Sequence, residues 1–300
     1  MIEKLEKHEE LVLPPEVRQK LLTISPATID RLLQKEKRRL NGSSRSLTKP
    51  GTLLKHQIPI RTFANWDEKR PGFCEMDLVA HDGGNPSGDF CQTLTVTDIH
   101  TGWTEIQAVQ NRAQKWVFEA LKQIRERLPF PLLGIDSDNG GEFINHQLLR
   151  YCQKEQITFT RSRPSKKNDN CYVEQKNWTI VRKAIGYCRY ETKEELLLLN
   201  ELYAVLRLYA NFFQPVTTLI FKERIKSKVK KQYDTPKTPF LRVIDSPSID
   251  KTIKQSLHHQ YDELNPAELK RQMVQIQNQL VDFVSLKNDS ILSPKEVNLV

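Results

Sequence analysis

Cysteine, acidic charge and long apolar runs are all in short supply in this 300-residue chain. The five cysteines, Cys74, Cys91, Cys152, Cys171 and Cys188, are odd in number and far apart, with no C-x-x-C pair and no histidine at ligand spacing. That pattern argues against a disulfide framework and a structural zinc site, and the cysteines read as reduced packing residues. No apolar run approaches the ~18–20 residues needed to cross a bilayer. The opening Met1-Ile2-Glu3-Lys4-Leu5-Glu6 lacks the apolar centre of a signal peptide. A protein without membrane association is therefore expected.

The shortage of acid is the first positive clue. Lys and Arg number 46 against 37 Asp and Glu, a formal net charge of +9 and a pI near 9.2. Such a balance favours a polyanionic partner, and with the membrane set aside that partner is nucleic acid. At this length one catalytic domain with smaller flanking modules is expected.

Residues 1–40 read as short helices. Pro14-Pro15-Glu16 opens one, and Ser25-Pro26 opens another with Ser25 as N-cap and Pro26 at the first helical position. Two helices joined so tightly, the second carrying Thr28, Arg31 and a basic end, suit a helix-turn-helix that places Arg31 at DNA. Residues 41–70 read as a linker.

An α/β pattern follows over 71–215. Three β-rich runs (73–79, 90–98 and 104–109) precede a helix over 113–128, a short strand at 132–135, a helix over 142–153 and a strand at 157–160. Two longer helices over 169–190 and 194–213 complete a mixed sheet with helices on both faces. Residues 216–250 form a basic arm or small β-module, with Lys222, Arg224, Lys226, Lys228, Lys230 and Lys231 within ten residues. The tail, 251–300, is helical. Its apolar seam Leu269, Met273, Ile276, Leu280 and Phe283 is too short to require a coiled coil and is expected to dock on the protein's own surface.

Three acids stand out by position. Asp77 lies inside the first strand, where burying a carboxylate is costly unless a cation offsets it. Asp138 lies just past the fourth strand, before the turn Asn139-Gly140-Gly141, and Asp136 is its rival two residues earlier. Glu174 lies in the first turns of a helix, 35 residues beyond Asp138. Three converging carboxylates imply raised pKa values or bound divalent cations, and hard oxygen ligands without His or Cys suit Mg²⁺ or Mn²⁺. Two such ions are a known solution for phosphodiester displacement.

The strand Asp77, the turn Ser137-Asp138-Asn139-Gly140-Gly141-Glu142-Phe143, and Glu174 followed by Asn177 resemble the D-D-E signature of retroviral integrases and bacterial insertion-sequence transposases. The likeness covers roughly residues 73–213. It implies an RNase H-like fold, with Asp77, Asp138 and Glu174 as catalytic residues and ligands of two Mg²⁺ or Mn²⁺ ions. It also implies a polynucleotidyl transferase that cuts element ends and joins them to target DNA, assembled as a homo-oligomer on DNA in a bacterial cytoplasm, at the nucleoid. The segment 163–170 resembles the loop before the catalytic helix of that family. Lys166, Lys167, Lys176 and Arg182 around the third acid are expected to meet phosphates. No cysteine precedes Cys74, so the zinc-binding N-terminal module of retroviral integrases has no counterpart here, and the helical N-terminus is shorter than in many bacterial relatives. Two other readings stay open: a non-catalytic DNA-binding remnant, and an RNase H-like nuclease.

Overall fold

The computed structural model describes residues 1–25, 27–29, 31–33, 58–60, 69–163, 167–225 and 228–292. Five strands make the central sheet: β1 (Phe73–Ala80), β2 (Gln92–Asp98), β3 (Thr104–Val109), β4 (Gly134–Ser137) and β5 (Thr158–Arg161). Their order is β3-β2-β1-β4-β5. The first three pair antiparallel, and β4 and β5 join in parallel. The mixed sheet flanked by helices is thus the α/β arrangement that the pattern predicts.

Helices cover both faces. On α3 (Gln114–Arg127) the buried residues Val117, Ala120, Leu121 and Ile124 follow helical spacing. With Leu148 and Cys152 of α4 (His146–Lys154) they pack against Met76, Leu94 and Val96. Ile106 and Ala108 pack instead under Leu199, Leu202, Tyr203 and Leu206 of α6 (Lys193–Phe213), together with Ile180 and Val181 of the helix before it. That preceding helix begins as α5 (Cys171–Lys176) and continues through a π-helical segment, Asn177–Arg182, and a last turn, Lys183–Ile185. Gly186, at φ 66°, ends it. The helical segment therefore ends at residue 185, short of the predicted 190.

Two other boundaries move for local reasons. Helix α4 starts at His146 rather than 142, because Asn145 accepts a hydrogen bond from Leu148 N and caps it. The fourth strand runs to Ser137 because its backbone pairs on both sides, with β1 and with β5. The expectation about apolar length also needs correction. Helix α6 is long and apolar enough to cross a membrane, with a mean hydropathy of 1.2 over its best window. It is instead the packing helix of the second core, and a Thr192–Glu195 capping box starts it.

Beyond the sheet, β6 (Leu219–Ile225) and β7 (Lys228–Tyr233) form an antiparallel pair, followed by α7 (Pro239–Asp245), α8 (Lys251–Glu263) and α9 (Pro266–Leu292). Helix α9 lies along α6, burying Leu269, Met273 and Leu280, so this part of the seam docks on the chain itself. Phe283 is exposed.

The N-terminal helices are α1 (Ile2–Lys7) and α2 (Pro15–Thr23). Lys4 ties α1 to the end of α8, donating to the carbonyls of Tyr261 and Asp262. Helix α2 buries no residue, and Val17, Leu21, Leu22, Ile29, Leu32 and Leu33 are exposed. Among the described residues, then, no packed core joins α2 to the turn that Ser25 starts by accepting from Thr28 N. The expected linker falls largely outside the described residues.

Candidate active site

Strand register assembles the acidic site. Strand β4 is half the length of β1, and its last paired residue, Ser137, lies opposite Met76. Asp77 therefore sits where β4 leaves the sheet, and Asp138 is the first residue beyond that departure. Both are half-buried. Asp77 Oδ1 accepts from Leu78 N (2.8 Å), and its Oδ2 accepts from Asn177 Nδ2 (2.8 Å). Asp138 Oδ1 accepts from Gly140 N (2.8 Å).

Helix α5 brings Glu174 over the same end of the sheet, exposed on its first turn. Burial, and after it the charge of Asp138, push the Asp77 carboxyl up to about 8, and Glu174 and Glu142 add in the same direction. The three expected acids thus share one electrostatic neighbourhood. Among the described residues, however, no three His, Cys, Asp or Glu side chains stand close enough to hold one metal ion. Both oxygens of Asp77 are occupied by protein donors. Each Asp77 oxygen keeps a further lone pair beside its protein donor, so Asn177 can orient the carboxylate while it faces a cation. The donor set is all carboxylate oxygen, which fits a hard divalent cation.

A second tier of acids lies one pleat deeper. Glu75 and Asp136, each two residues before a site acid, face one another in the β1/β4 register and are fully buried. Val173 N, next to Glu174, donates to Glu75 Oε2 at 2.9 Å. Burial raises the Glu75 pKa well above the carboxylate range, the Val173 bond opposes this, and Asp136 adds to it. Asp136 accepts from Thr160 Oγ1. With its amide oriented to satisfy both groups, Asn170 donates to Asp136 Oδ2 (3.1 Å) and accepts from Asp138 N (3.1 Å). Asp136, the rival of Asp138, is therefore part of the support, while Asp138 stands beside Asp77.

Sequence reasoning assigned no role to Glu75, Asn170, Asn177 or Glu142. A usable signal existed for Glu75, since an acid inside a strand is as unusual there as Asp77 is. Glu142 is half-buried, and burial raises its pKa, with Asp138 adding to the effect. Asn177 enters the sequence reading only as part of the Glu174 signature, and the fold gives it a contact that reaches across 100 residues to Asp77.

The basic residues fall differently from expectation. Lys176 is buried rather than on a DNA surface, and burial, then Arg242, lower its pKa to about 8. Arg182 donates to the carbonyls of Ala80 (2.7 Å) and Gly186 (3.2 Å) and lies 4.6 Å from the Tyr187 ring, so it fastens the helix end to β1. Arg31 is exposed, with Nη2 donating to Thr28 Oγ1 (3.2 Å). Arg163 and Asp169 form a two-pronged ion pair at 2.8 Å. Lys166 and the side chain of Lys167 lie outside the described residues.

Comparison with known proteins gives four similarities. A family model described as the integrase core domain matches residues 67–167, a span that contains Asp77 and Asp138 and ends before Glu174. A protein of Sinorhizobium fredii (strain NBRC 101917 / NGR234), "Uncharacterized protein y4rM", is 43% identical over 242 residues, 81% of this chain and 69% of that protein. The catalytic core domain of HTLV-2 integrase in complex with magnesium (dimeric form) aligns at 16% identity and a TM-score of 0.37, over 49% of this chain and 90% of that one. The core domain of BIV integrase aligns at 16% identity and a TM-score of 0.36, over 63% and 98%.

Proposed function

Since the chain belongs with the Sinorhizobium fredii protein in one family and carries an integrase core domain, we propose that it is a D-D-E transposase or integrase that cuts DNA at element ends and joins them to target DNA. The observation that carries this reading is the pairing of Asp77 and Asp138 at the point where β4 leaves β1, with Glu174 brought above them. Asp77, Asp138 and Glu174 would hold two Mg²⁺ or Mn²⁺ ions. When bound, such ions activate an attacking oxygen and stabilise a leaving oxygen in phosphodiester displacement.

The protein's own contribution is positioning. Asn177 holds Asp77, Gly140 N holds Asp138, and Glu75 holds the backbone beside Glu174. In the metal-free site a proton on Asp77 would relieve repulsion from its neighbours, and a bound cation would supply the same relief. Arg31, Lys166 and Lys167 are proposed phosphate contacts, which add affinity without reading sequence. The reading also places the protein at the bacterial nucleoid, working as a homo-oligomer on DNA.

The test uses the full chain, Mg²⁺ or Mn²⁺, and labelled duplexes copied from the DNA flanking its gene. Joined products are expected with wild type and are lost in Asp77→Asn, Asp138→Asn and Glu174→Gln, while DNA affinity is retained. Metal-dependent joining that persists in those variants would sink the proposal. One observation favours a second reading, a non-catalytic DNA-binding protein: the three acids do not stand as a ready ligand cage. Duplex binding without joining, at saturating Mn²⁺ and with all three acids intact, would establish it.

A further inference from the structure

The β6–β7 pair is a small basic ribbon whose described side chains are exposed, apart from the half-buried Leu219. Residues 219–233 contain six basic residues against Glu223 alone, a net +5 of the chain's +9. Backbone register sets Lys231 opposite residue 222 and Lys230 opposite Glu223. Among the described elements, the two strands pack chiefly on each other. Such isolated two-stranded ribbons are marginal in water without an anchor.

An anchor is present at the root. Val216 and Lys237 exchange backbone hydrogen bonds (2.8 and 3.2 Å), and Asp234 N donates to Thr218 O (3.0 Å). Thr218 N donates to Asp234 Oδ1 (2.7 Å), while Arg242 donates to Asp234 Oδ2 (2.7 Å) and to Val216 O (2.8 Å). The same root lies near the β2–β3 turn and a side chain of the helix that carries Glu174. A Cβ at Gly102 would lie 3.2 Å from Val216 Cγ2 and 3.7 Å from Nζ of Lys176, which is two residues beyond Glu174.

Lysines on a ribbon edge also serve to prevent edge-to-edge pairing. An edge built only for that purpose would not expose Ile220, Phe221, Val229 and Tyr233 at 43–58%. Basic residues interleaved with exposed aromatic and apolar ones fit a nucleic acid, whose phosphates and base edges can meet both kinds.

We propose that the β6–β7 ribbon is a DNA-binding arm that enters a groove of duplex DNA from a root anchored beside the helix of Glu174. The major groove, about 12 Å wide, admits a two-stranded ribbon. The choice of DNA as the polyanion rests on the function proposed above, whereas the ribbon's charge and anchoring do not. A root fixed to the catalytic domain holds a bound duplex to the same body that carries Asp77 and Asp138.

The test is fluorescence anisotropy of the full chain with a labelled duplex over a range of salt, without divalent metal. The double variant Lys230→Gln/Lys231→Gln is expected to reduce the slope of log K against log salt by about 1.8 and to weaken binding at least about tenfold near 0.1 M salt. Glu223→Gln, in the same ribbon, is expected to bind as tightly as wild type or more so, and circular dichroism checks that all variants fold. An unchanged slope in the folded double variant overturns the proposal. So does a loss confined to vesicles of phosphatidylserine and phosphatidylcholine, with duplex binding intact. Asp77→Asn keeps the wild-type slope if the arm acts as proposed, so failed strand transfer with a normal slope counts against the catalytic reading alone.

Discussion

Glu75 and Val173 are joined by a buried hydrogen bond that crosses 98 residues of sequence and fixes the backbone beside Glu174 to the strand that carries Asp77. Replacing Glu75 with Ala leaves a buried N–H unpaired, at a cost of about 1–3 kcal/mol. Glu75→Gln retains an acceptor oxygen and is expected to recover most of that stability. Urea denaturation of the two variants checks the difference, and equal losses would show that Val173 N does not depend on the Glu75 oxygen.

Asn177 makes the corresponding contact to Asp77 from one turn further along the helix. Asn177→Ala removes one hydrogen bond to a carboxylate, worth about 1.5–3 kcal/mol. If that energy orients Asp77 for chemistry, joining slows by roughly 10- to 100-fold at saturating metal, since each 1.4 kcal/mol is about tenfold. DNA affinity measured by anisotropy should stay unchanged. A variant that joins DNA at the wild-type rate would remove Asn177 from the positioning machinery.

Metal binding at Asp77 is expected to release a proton. Its pKa is raised to about 8 in the folded chain by burial and then by Asp138, against ~3.9 when unfolded. The folded chain keeps a proton that the unfolded chain has released. Metal-free stability from this group is therefore full below about pH 4 and declines as pH rises toward 8, by at most about 1.4 kcal/mol per unit. Mg²⁺ affinity should rise over the same window. Calorimetry in two buffers of different ionisation enthalpy should show proton release on binding, and Asp77→Asn should abolish it.

His81 acts in the opposite sense. It is fully buried, its Nε2 is 2.6 Å from Thr93 Oγ1, and that hydroxyl is 2.6 Å from Tyr203 Oη. Burial, then Arg182, lower its pKa to about 3. Its neutral form is the folded one, so its contribution is complete above about pH 6.5 and is lost as pH falls toward 3, again by at most about 1.4 kcal/mol per unit. His81→Gln should flatten this acid limb in denaturation curves recorded from pH 7 to 4. An unaltered acid limb would show that another group governs it.

Local features carried much of the fold and the upper tier of the site. The helical spacing of Val117, Ala120, Leu121 and Ile124, and the β-rich runs around Asp77 and Val96, are properties of short stretches and could be recognised from them. An acid inside a strand, and an acid before a double glycine, are equally local. Less legible were the helix after Asp169, which breaks into α and π segments, and the apolar length of α6, which packing explains and composition cannot.

By itself the amino-acid sequence determined the sheet-and-helix alternation and the basic charge, and singled out Asp77, Asp138 and Glu174 as candidates, because each depends on residue type and spacing along a few turns or one strand. Only the tertiary structure set buried Asp136 opposite Glu75, buried Lys176, committed Arg182 to Ala80 and Gly186, and brought Glu75 to Val173 N and Asn177 to Asp77. Those outcomes depend on strand register and on contacts across about 100 residues of chain, where the cost of burying a charge is set by neighbours that no local window contains.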